Sequence, residues 1–363
     1  MKVQILGSRG IPARHGGFET FAESLALYLV GQGHDVTVYC QSESGTGDKS
    51  GDWFGVQRIV IEAPSDALGT MIFDLKATIH SLRLPGIPLI LGYNTAILSF
   101  LYRMIGKPSL MNMDGIEWQR EKWSSWERRW LRINEWCGAI LSTHLIADHP
   151  EIARHLEKHV SPNKITTIPY GAVRVGEKPS DAYLPQQVKS GEFGLLIARP
   201  EPENSLLEIV QAFSACRRGY RLIVLGRMLP ETNQYHRQVM EAASEEILFL
   251  GALYDRETVG ALRIHAKWYV HGHRVGGTNP SLVEALAASS AIIAHNNEFN
   301  RWVAGSGAHY FTDQDSLCAW LCSHSKADLE QMRLASFQRF EEQFTSDRVE
   351  KAYDDLLSRF SAS

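Results

Sequence analysis

Two series of alternating apolar runs and amphipathic stretches constrain the fold of this chain more than any other feature. Short apolar runs indicate buried strands, and apolar residues at helical spacing indicate the helices between them. In the first series, a helix is predicted over Phe18–Gly31, and strands are predicted at Val3–Leu6, Asp35–Tyr39, Arg58–Glu62, Pro88–Leu91 and Leu145–Ala147. Strands that alternate with helices form parallel sheets. The class is therefore α/β.

A polar stretch that contains Pro and Gly, Val173–Glu192, separates the two series and is predicted to connect two domains. After it, a helix is predicted from Ser205 and strands at Phe193–Ala198, Arg221–Leu225, Ile247–Leu250, Lys267–His271 and Ala291–His295. A length of 363 residues also favours two domains. We expect Rossmann-like domains over residues 1–172 and 173–345, facing a central cleft, with a last helix in residues 346–363 that packs back on the first domain.

Composition excludes several classes of protein. An apolar content of 44% and a charged content of 21% are ordinary for a globular protein. A net charge of −4 argues against a nucleic-acid partner. The five cysteines are odd in number and scattered, and Cys318 and Cys322, one helical turn apart, lack further ligands, so neither disulfides nor a metal site is predicted. Without a signal-peptide pattern or a long apolar run, the expected location is cytoplasmic.

The segment His271–Leu286 reads as a strand end, a glycine loop and a helix start. Asn279 suits the N-cap and Pro280 the first helical position. Glycines let the backbone approach a ligand, and a helix N-terminus attracts anions. We predict contacts with a nucleotide-sugar donor at Gly277, Thr278, Asn279, Ser281 and Glu284, with Glu284 accepting hydrogen bonds from a diol. The alternative is a structural glycine-rich connection with a dipole-complementing Glu.

Two histidines flank Gly272 beside this loop. We expect one of them, His271 rather than His273, to hydrogen-bond the donor; a role as a core histidine is the alternative. No third ligand accompanies the pair, so it does not predict a metal site.

Another glycine loop, Gly7–Glu19, follows the first strand. It is not G-x-G-x-x-G, and the second strand ends in Tyr39-Cys40-Gln41 without the acidic residue that holds an NAD ribose. These two differences argue against a nicotinamide enzyme. Gly16 and Gly17, immediately before a helix, remain candidate phosphate contacts, with a purely structural entry into the helix as the alternative.

Arg199 stands at the end of the strand predicted at Phe193–Ala198, and Asn204 closes the turn after it. A guanidinium offers a fixed fork of donors to a diphosphate, so both residues are candidate donor contacts, and Arg199 is a candidate catalytic residue. An exposed turn arginine is the alternative.

The segment Asn112–Arg120 places Asp114 and Glu117 around a turn. Carboxylates in a cleft can orient sugar hydroxyls or deprotonate an acceptor, which makes both residues catalytic candidates. Because Asp-Gly is a common turn pair, a structural turn is the alternative.

Five of the nine tryptophans lie within residues 118–136, interleaved with basic residues, and Trp123, Trp126 and Trp130 are predicted to share a helical face. This composition suits a membrane interface or a lipid-phosphate acceptor. The alternative is a helix whose tryptophans pack into the core of the first domain.

Three of these motifs resemble the GT-B retaining glycosyltransferases of glycosyltransferase family 4, and in particular a bacterial rhamnosyltransferase-like branch. Gly7–Thr20 resembles its G-S-R-G-I-P-A-x-x-G-G-F-E-T element, Asp114–Trp118 its D-G-[IL]-E-W, and His271–Ala285 its H-G-H-x-V-G-G-T-N-P-S-L-x-E-A. The resemblance extends over essentially the whole chain.

The resemblance implies a GT-B fold whose C-terminal domain holds most of the donor diphosphate, with no bound metal or cofactor. Arg199 matches the donor-phosphate arginine, Glu284 the ribose-binding glutamate, and Gly16-Gly17 the loop under the diphosphate. The sequence departs from the family at Gly276, where a first glutamate is usual, and from the branch at Trp302 and His15. Sugar contacts are therefore expected from Gly277–Asn279 or from elsewhere in the chain.

The implied activity is transfer of a hexose, L-rhamnose from dTDP-rhamnose before other sugars, to a glycan or lipid-linked acceptor in surface polysaccharide synthesis. Two alternatives stay open: a GT-B sugar-nucleotide epimerase, and a non-catalytic protein that binds nucleotide sugars.

Overall fold

The computed structural model describes residues 1–13, 17–43, 49–120, 123–175, 180–253 and 255–361. The chain divides into two compact units, of which the first is Met1–Tyr170 with Asp347–Ser363 and the second is Gly171–Ser346. Among the helices of these described ranges, none has the length and apolar character that a transmembrane span requires.

The first unit contains a largely parallel sheet. Its strands are β1 (Lys2–Leu6), β2 (Asp35–Ser42), β3 (Gly51–Trp53), β4 (Val56–Glu62), β5 (Ile87–Leu91), β6 (Leu110–Asn112), β7 (His144–Ala147) and β8 (Ile165–Thr167). Its helices are α1 (Gly17–Gly31), α2 (Ala67–Arg83), α3 (Ser99–Met104), α4 (Ser125–Leu141) and α5 (Pro150–Leu156). The strand order is β3-β4-β2-β1-β5-β6-β7-β8, and only the β3–β4 pair is antiparallel among the described strands.

The second unit contains an entirely parallel sheet among its described strands. These are β9 (Phe193–Ile197), β10 (Arg221–Leu225), β11 (Ile247–Gly251), β12 (Trp268–His271), β13 (Ile292–His295) and β14 (His309–Phe311). The helices are α6 (Leu206–Ser214), α7 (Gln234–Glu241), α8 (Arg256–His265), α9 (Pro280–Ala287), α10 (Glu298–Ala304), α11 (Gln314–Ser323) and α12 (Lys326–Gln343). The strand order is β11-β10-β9-β12-β13-β14.

The last helix, α13 (Ser346–Ser361), packs on the first unit. Its apolar side Val349, Tyr353, Leu356 and Leu357 is buried in the same cluster as residues of β1 and α1. Asn112 Nδ2 at the end of β6 donates to Tyr353 Oη at 2.8 Å. Burial of about four large side chains makes this helix part of the first core, since each contributes roughly 1.5–3 kcal/mol.

Local sequence explains where the elements begin. Ser205 has a left-handed backbone (φ 54°), so α6 begins at Leu206 and not at Ser205 as the spacing predicts. Trp123 precedes α4, which begins at Ser125 after a Ser124–Glu127 capping box, so the prediction that Trp123 shares a helical face with Trp126 is wrong. Val188, in the predicted connector, is buried in the core of the second unit.

Candidate functional site

The sheet of the second unit reverses its winding at β9. Strand β10 lies on one side of β9 and β12 on the other. Ligands of open parallel sheets bind beyond the carboxyl ends of strands at such a switch point. The loops there follow β9, with Arg199, and β12, with the glycine motif. The topology therefore brings together two motifs that are about 70 residues apart in the sequence.

The two loops touch at a glycine. A Cβ on Gly272 would lie 2.2 Å from the carbonyl oxygen of Asn204. Asn204 is buried, and its Nδ2 donates to the carbonyl oxygen of Arg199 at 2.8 Å. The side chain of Asn204 therefore holds the turn that carries Arg199, while Arg199 itself is exposed.

Arg274, which the sequence reasoning missed, ties the loop after β12 to the start of α6. Its Nε donates to Ser205 Oγ at 2.9 Å, its guanidinium pairs with Glu208, and its backbone N–H donates to the carbonyl oxygen of Glu203 at 3.0 Å. An arginine inside a glycine motif is the sequence signal that could have drawn attention to it.

Two asparagines after β13 hold the same loop from its other side. Asn297 Nδ2 and Asn300 Nδ2 donate to the carbonyl oxygen of His273 at 2.9 and 2.8 Å. Asn300 also donates to the carbonyl oxygen of His295 at 2.9 Å. Sequence spacing gave no reason to connect these residues with the glycine motif, because the contact depends on β13 lying beside β12.

Helix α9 begins as its sequence predicts. Asn279 is the N-cap, with its side chain accepting from the backbone N–H of Ser281 at 3.0 Å, and Pro280 is the first helical residue. Thr278 is buried and Gly277 is partly buried. Gly276 has φ 143° with open space where a Cβ would stand, so its backbone conformation requires glycine there.

The carboxylate of Glu284 lies one turn into α9. It forms an ion pair with Arg263 of α8, whose side chain is largely buried, while the side chain of Glu284 is 46% exposed. Ser281 Oγ and Tyr269 Oη hydrogen-bond at 2.8 Å. Glu284 thus keeps access to solvent and is oriented by a cation from the neighbouring helix.

His271 lies in the interior. It is fully buried, its ring stacks on that of His273 with centroids 4.2 Å apart, and neither ring nitrogen has a hydrogen-bond partner among the described residues. Burial holds its pKa well below the usual value, with His273 adding to the effect, so the ring is neutral at physiological pH.

The first unit has a corresponding switch point between β1 and β5. Gly7 follows β1 with φ 83°, and a Cβ there would lie 2.4 Å from the carbonyl oxygen of Leu91. Glu23 Oε2 accepts from the N–H of Ala13 at 2.6 Å, which ties the glycine loop to α1. Gly17 is exposed as the first residue of α1, and Gly16 lies outside the described residues.

Asp114 and Glu117 follow β6 in a tight turn. Asp114 has a left-handed backbone (φ 48°), and its N–H donates to Asn112 Oδ1 at 2.8 Å. Tyr93, after β5, donates its hydroxyl to the carbonyl oxygen of Gly115 at 3.2 Å and accepts from the N–H of Glu117 at 2.8 Å. The turn is therefore folded around one buried tyrosine at the carboxyl edge of the sheet.

Glu117 also pairs with Arg120, with Oε1 and Nη2 2.8 Å apart. Asp148, which the sequence reasoning missed, is buried directly after β7, the neighbour of β6. Burial raises the pKa of Tyr170 well above its usual value, and the negative charges of Asp114 and Asp148 act in the same direction. A group of carboxylates therefore lies at this edge.

A cluster of one carboxylate and two histidines lies next to Trp118. Within the described ranges, Glu135, His155 and His159 are the one set of such residues with ligand atoms within 4.8 Å of one another. The two Glu135 oxygens already bond Trp118 Nε1 and His155 Nε2, each at 2.8 Å. The set is a hydrogen-bond network that fixes Trp118.

The tryptophans of α4 point to solvent. Trp126, Trp130 and Trp136 are 79, 37 and 55% exposed, which contradicts the alternative that they pack into the core. Helices α2, α3 and α4 pack in succession. These helices and the turns on either side of α3 expose large apolar side chains, which together we call the apolar face: Leu68, Met71, Ile72, Leu75, Ile79, Ile97, Phe100, Met104, Ile105, Trp126, Trp130, Ile133 and Trp136.

Comparison with known proteins adds a family match and a fold. A family model described as a domain of unknown function (DUF1972) matches residues 1–173. No curated protein matches the chain significantly.

Several solved structures resemble the chain along its whole length. Sucrose-phosphate synthase from Thermosynechococcus elongatus has a TM-score of 0.82 at 15% identity, with 100% of each chain covered. HepE from Anabaena, solved with UDP-glucose, has a TM-score of 0.76 at 14% identity, covering 99% of this chain and 100% of that one. An alpha,alpha-trehalose 6-phosphate synthase from Burkholderia multivorans has a TM-score of 0.72 at 12% identity, covering 99% and 97%. The chain therefore has the GT-B fold, with two Rossmann-like parallel-sheet domains.

Proposed function

We propose that this protein is a glycosyltransferase that moves a hexose from a nucleoside-diphosphate sugar to a hydroxyl of a glycan or lipid-linked saccharide. The observation that carries the proposal is the contact between the turn that carries Arg199 and the glycine loop before α9, at the switch point of the second sheet. The fold is shared with HepE, which was solved with UDP-glucose.

The second unit binds the donor in this proposal. Arg199 is exposed at the end of β9, where its guanidinium can reach a diphosphate. The N-terminus of α9 follows β12 at the same edge, and the dipole of this helix favours negative charge there. Both would stabilise the charge that develops on the leaving diphosphate, without a metal ion. Asn204 contributes indirectly in this proposal, because its side-chain amide holds the turn that carries Arg199.

Glu284 accepts the ribose hydroxyls in this proposal. Its side chain is half exposed and is already oriented by Arg263. A carboxylate that bonds one arginine still offers lone pairs to two hydroxyl groups. Gly277, Thr278, Asn279 and Ser281 complete the donor contacts through backbone and hydroxyl groups. His271 has unbonded ring nitrogens close to this loop but is fully buried, so it contributes only if the loop rearranges.

The first unit binds the acceptor in this proposal, with Asp114 and Glu117 orienting its hydroxyl or the transferred sugar. Gly16 and Gly17 supply further phosphate contacts. We further propose transfer with retention, by attack on the face that the leaving group vacates. The first-choice donor is dTDP-L-rhamnose, by resemblance to the rhamnosyltransferase-like branch, and the setting is cytoplasmic assembly of surface polysaccharide.

The test compares donor binding and transfer in matched variants. We expect one nucleoside diphosphate out of dTDP, UDP and GDP to stabilise the protein; a ligand at 100 times its dissociation constant adds about 2.7 kcal/mol. Arg199→Ala and Glu284→Gln should each lower both this thermal shift and the transfer rate. Arg221→Ala is the matched control, because Arg221 is exposed at the start of β10, whereas the proposed donor contacts follow the carboxyl ends of β9 and β12.

The outcomes separate the proposal from its alternatives. Stabilisation by NAD alone, or unchanged transfer in both site variants, would overturn it. A changed nucleotide sugar formed without acceptor would favour the epimerase. Binding without turnover by any acceptor would favour a non-catalytic role.

We also propose that the apolar face docks on the surface of an anionic bilayer, which would bring a lipid-linked acceptor to the enzyme. Arg103, Arg128, Arg129 and Arg132 are exposed on the same helices, and Glu127 is the exposed acid of α4. Exposed tryptophans beside basic residues suit the interface between headgroups and acyl chains.

Co-sedimentation with vesicles that contain an anionic phospholipid tests the docking. We expect binding at low salt that weakens as salt rises, and a loss of binding in Trp126→Ser/Trp136→Ser. Leu334→Ser is the matched control, because Leu334 is an exposed apolar residue of α12 in the other unit. No binding by the unchanged protein, or equal loss in the control, would count against the proposal.

A further inference from the structure

Three cysteines that are distant in the sequence surround one arginine in the second unit. Cys216 and Arg218 belong to the loop between α6 and β10, whereas Cys318 and Cys322 belong to α11, which packs against α6. Arg218 Nη1 donates to Cys322 Sγ at 3.0 Å and Nη2 to Cys318 Sγ at 3.4 Å. Cys216 lies two residues before Arg218 in the same loop, and the charges of Cys216 and Cys322 influence each other's pKa.

The guanidinium of Arg218 is fixed in place. Its Nε donates to the carbonyl oxygen of Phe213 at 3.1 Å, and Nη2 donates to that of Ala212 at 2.7 Å, both at the end of α6. The backbone N–H groups of Arg218 and Gly219 donate to the Glu246 carboxylate at 2.7 and 2.8 Å. A positive charge is thus held against the sulfur atoms by several independent bonds.

The three thiols differ in accessibility and charge. Cys216 and Cys322 are exposed, and Cys318 is partly buried. The hydrogen bond from Arg218 lowers the pKa of Cys322, while partial loss of solvent raises the pKa of Cys216. An accessible thiol beside a cation, with a lowered pKa and a second thiol near the same guanidinium, is the environment of a reactive cysteine with a resolving partner.

Other ionisable groups around the cluster do not reverse this picture. Tyr220, whose pKa is raised by burial, stays a neutral phenol. His324 follows α11, and burial lowers its pKa, so it is neutral near pH 7. The carboxylate of Glu246 accepts from the backbone N–H groups of Arg218 and Gly219.

We propose that Cys322 and Cys216 form a peroxide-sensitive site that closes into a disulfide between the α6–β10 loop and α11. The Cys322 thiolate attacks a hydroperoxide oxygen, the O–O bond breaks, and the departing oxygen takes a proton, leaving a sulfenic acid on Cys322. The Cys216 sulfur then attacks Cys322 Sγ, the S–OH bond breaks, and the hydroxide leaves as water with the Cys216 proton. Two thiols lose two electrons, and the hydroperoxide gains them.

Helix geometry excludes Cys318 as the partner of Cys322 and leaves Cys216 as the other thiol beside Arg218. Residues four apart on a helix have Cβ atoms about 5–6 Å apart. A disulfide needs Cβ atoms about 3.5–4.5 Å apart. Cys318 and Cys322 therefore do not close into a disulfide within an intact α11, whereas Cys216 approaches from a separate loop.

The site lies away from the candidate donor site. The α6–β10 loop precedes β10, at the amino edge of the second sheet, and the loops with Arg199 and the glycine motif follow β9 and β12, at the carboxyl edge. Oxidation can therefore be measured as covalent chemistry, whatever the protein transfers.

The experiment treats the full chain with hydrogen peroxide and maps thiols by differential alkylation and mass spectrometry. We expect a Cys216–Cys322 disulfide that dithiothreitol reverses, with the buried Cys40 and Cys137 unchanged. In Cys216→Ser the reaction should stop at a sulfenic acid on Cys322 that dimedone traps. Cys322→Ser should leave Cys216 reduced, and the control Cys318→Ser should still form the disulfide.

The role of Arg218 is tested by the rate at which iodoacetamide alkylates Cys322 at pH 7. Arg218→Gln should slow this rate on the order of tenfold, because the thiolate fraction falls, while Arg237→Gln leaves it unchanged. If Arg218→Gln does not fold, the test uses the unchanged chain, in which iodoacetamide must alkylate Cys322 faster than Cys216. Equal rates, oxidation first at Cys216 or Cys318, or a disulfide that includes Cys318, would overturn the proposal.

Discussion

Single buried polar side chains hold the loops of the candidate donor site. Asn204 fixes the Arg199 turn through one amide hydrogen bond, and Asn300 fixes the loop after β12 through the carbonyl oxygens of His273 and His295. An unsatisfied buried polar group costs about 1–3 kcal/mol, so loss of either amide is expected to loosen the loop that it holds. Preorganised loops lower the entropy that binding must overcome.

Asp74 of α2 gives a pH-dependent prediction at the residue scale. Burial raises its pKa to about 6, although a hydrogen bond from Thr95 Oγ1 at 2.8 Å acts to lower it. In the unfolded chain an aspartate titrates near 4, so between about pH 4 and 6 the folded protein binds more protons. Stability should therefore fall as pH rises through this window and then stay level.

Asp74→Asn should remove that part of the pH dependence, with a gain of up to about 2 kcal/mol in the free energy of unfolding above pH 6. Melting temperatures from pH 4 to 7 check this result. Asp35→Asn is the control, because the Asp35 side chain is 78% exposed. Parallel curves of melting temperature against pH for the unchanged chain and Asp74→Asn would show that burial does not raise the pKa of Asp74.

At the scale of elements, α12 holds the second unit together from outside its sheet. Arg333 Nη2 donates to the carbonyl oxygens of Ala266 and Lys267 at 2.6 and 3.0 Å, directly before β12. Arg339 Nε donates to the carbonyl oxygen of Val303 at 3.2 Å, at the end of α10. Two arginines of α12 thus bind backbone carbonyl groups at the entry to β12 and at the end of α10.

Arg333→Met should destabilise the second unit by about 1–3 kcal/mol, because it leaves buried carbonyl oxygens without donors. The entry into β12, and so the loop before α9, should become more mobile. Amide hydrogen exchange across residues 266–279 measures this effect locally. Lys326→Met, at a 91% exposed position of the same helix, should leave exchange unchanged.

At the scale of the whole molecule, the first unit is built from both ends of the chain. Helix α13 contributes Tyr353, Leu356 and Leu357 to the core formed by residues near the N-terminus. His34 Nε2 and Asp354 Oδ1 lie 2.9 Å apart, and Glu350 bonds Ser24 of α1. The first unit therefore cannot be complete before the last residues are present.

A chain that ends at residue 345 should lose the stability of the first unit while the second unit keeps its own. Calorimetry of the shortened chain should then show the unfolding of the second unit alone, whereas the full chain shows the unfolding of both units. The milder variant Leu357→Ala, which deletes fully buried methyl groups, should cost about 2–5 kcal/mol in the same unit. Ser358→Ala is the control for Leu357→Ala. Unfolding of the first unit at an unchanged temperature, in both the shortened chain and Leu357→Ala, would contradict this account.

Much of the architecture can be predicted from the sequence alone, and so can some local geometry of the candidate site. Strand β10 matches its predicted bounds, since apolar runs between helical stretches are a local signal. Asn279 and Pro280 cap α9 as predicted, because capping depends on neighbouring residues alone. Arg199 could be singled out from its position at a strand end.

Which distant residues meet depends on how the strands and helices pack against one another. The order of β9, β12 and β13 places Arg274, Asn297 and Asn300 around one loop, and strand order is not encoded in local spacing. The exposure of Trp126 and the burial of His271 depend on which helix or strand covers each side chain. Cys216 reaches Cys322 only because α11 returns to α6, a contact across more than a hundred residues. Periodicity fixes which face of an element is apolar, but packing between elements fixes what that face touches.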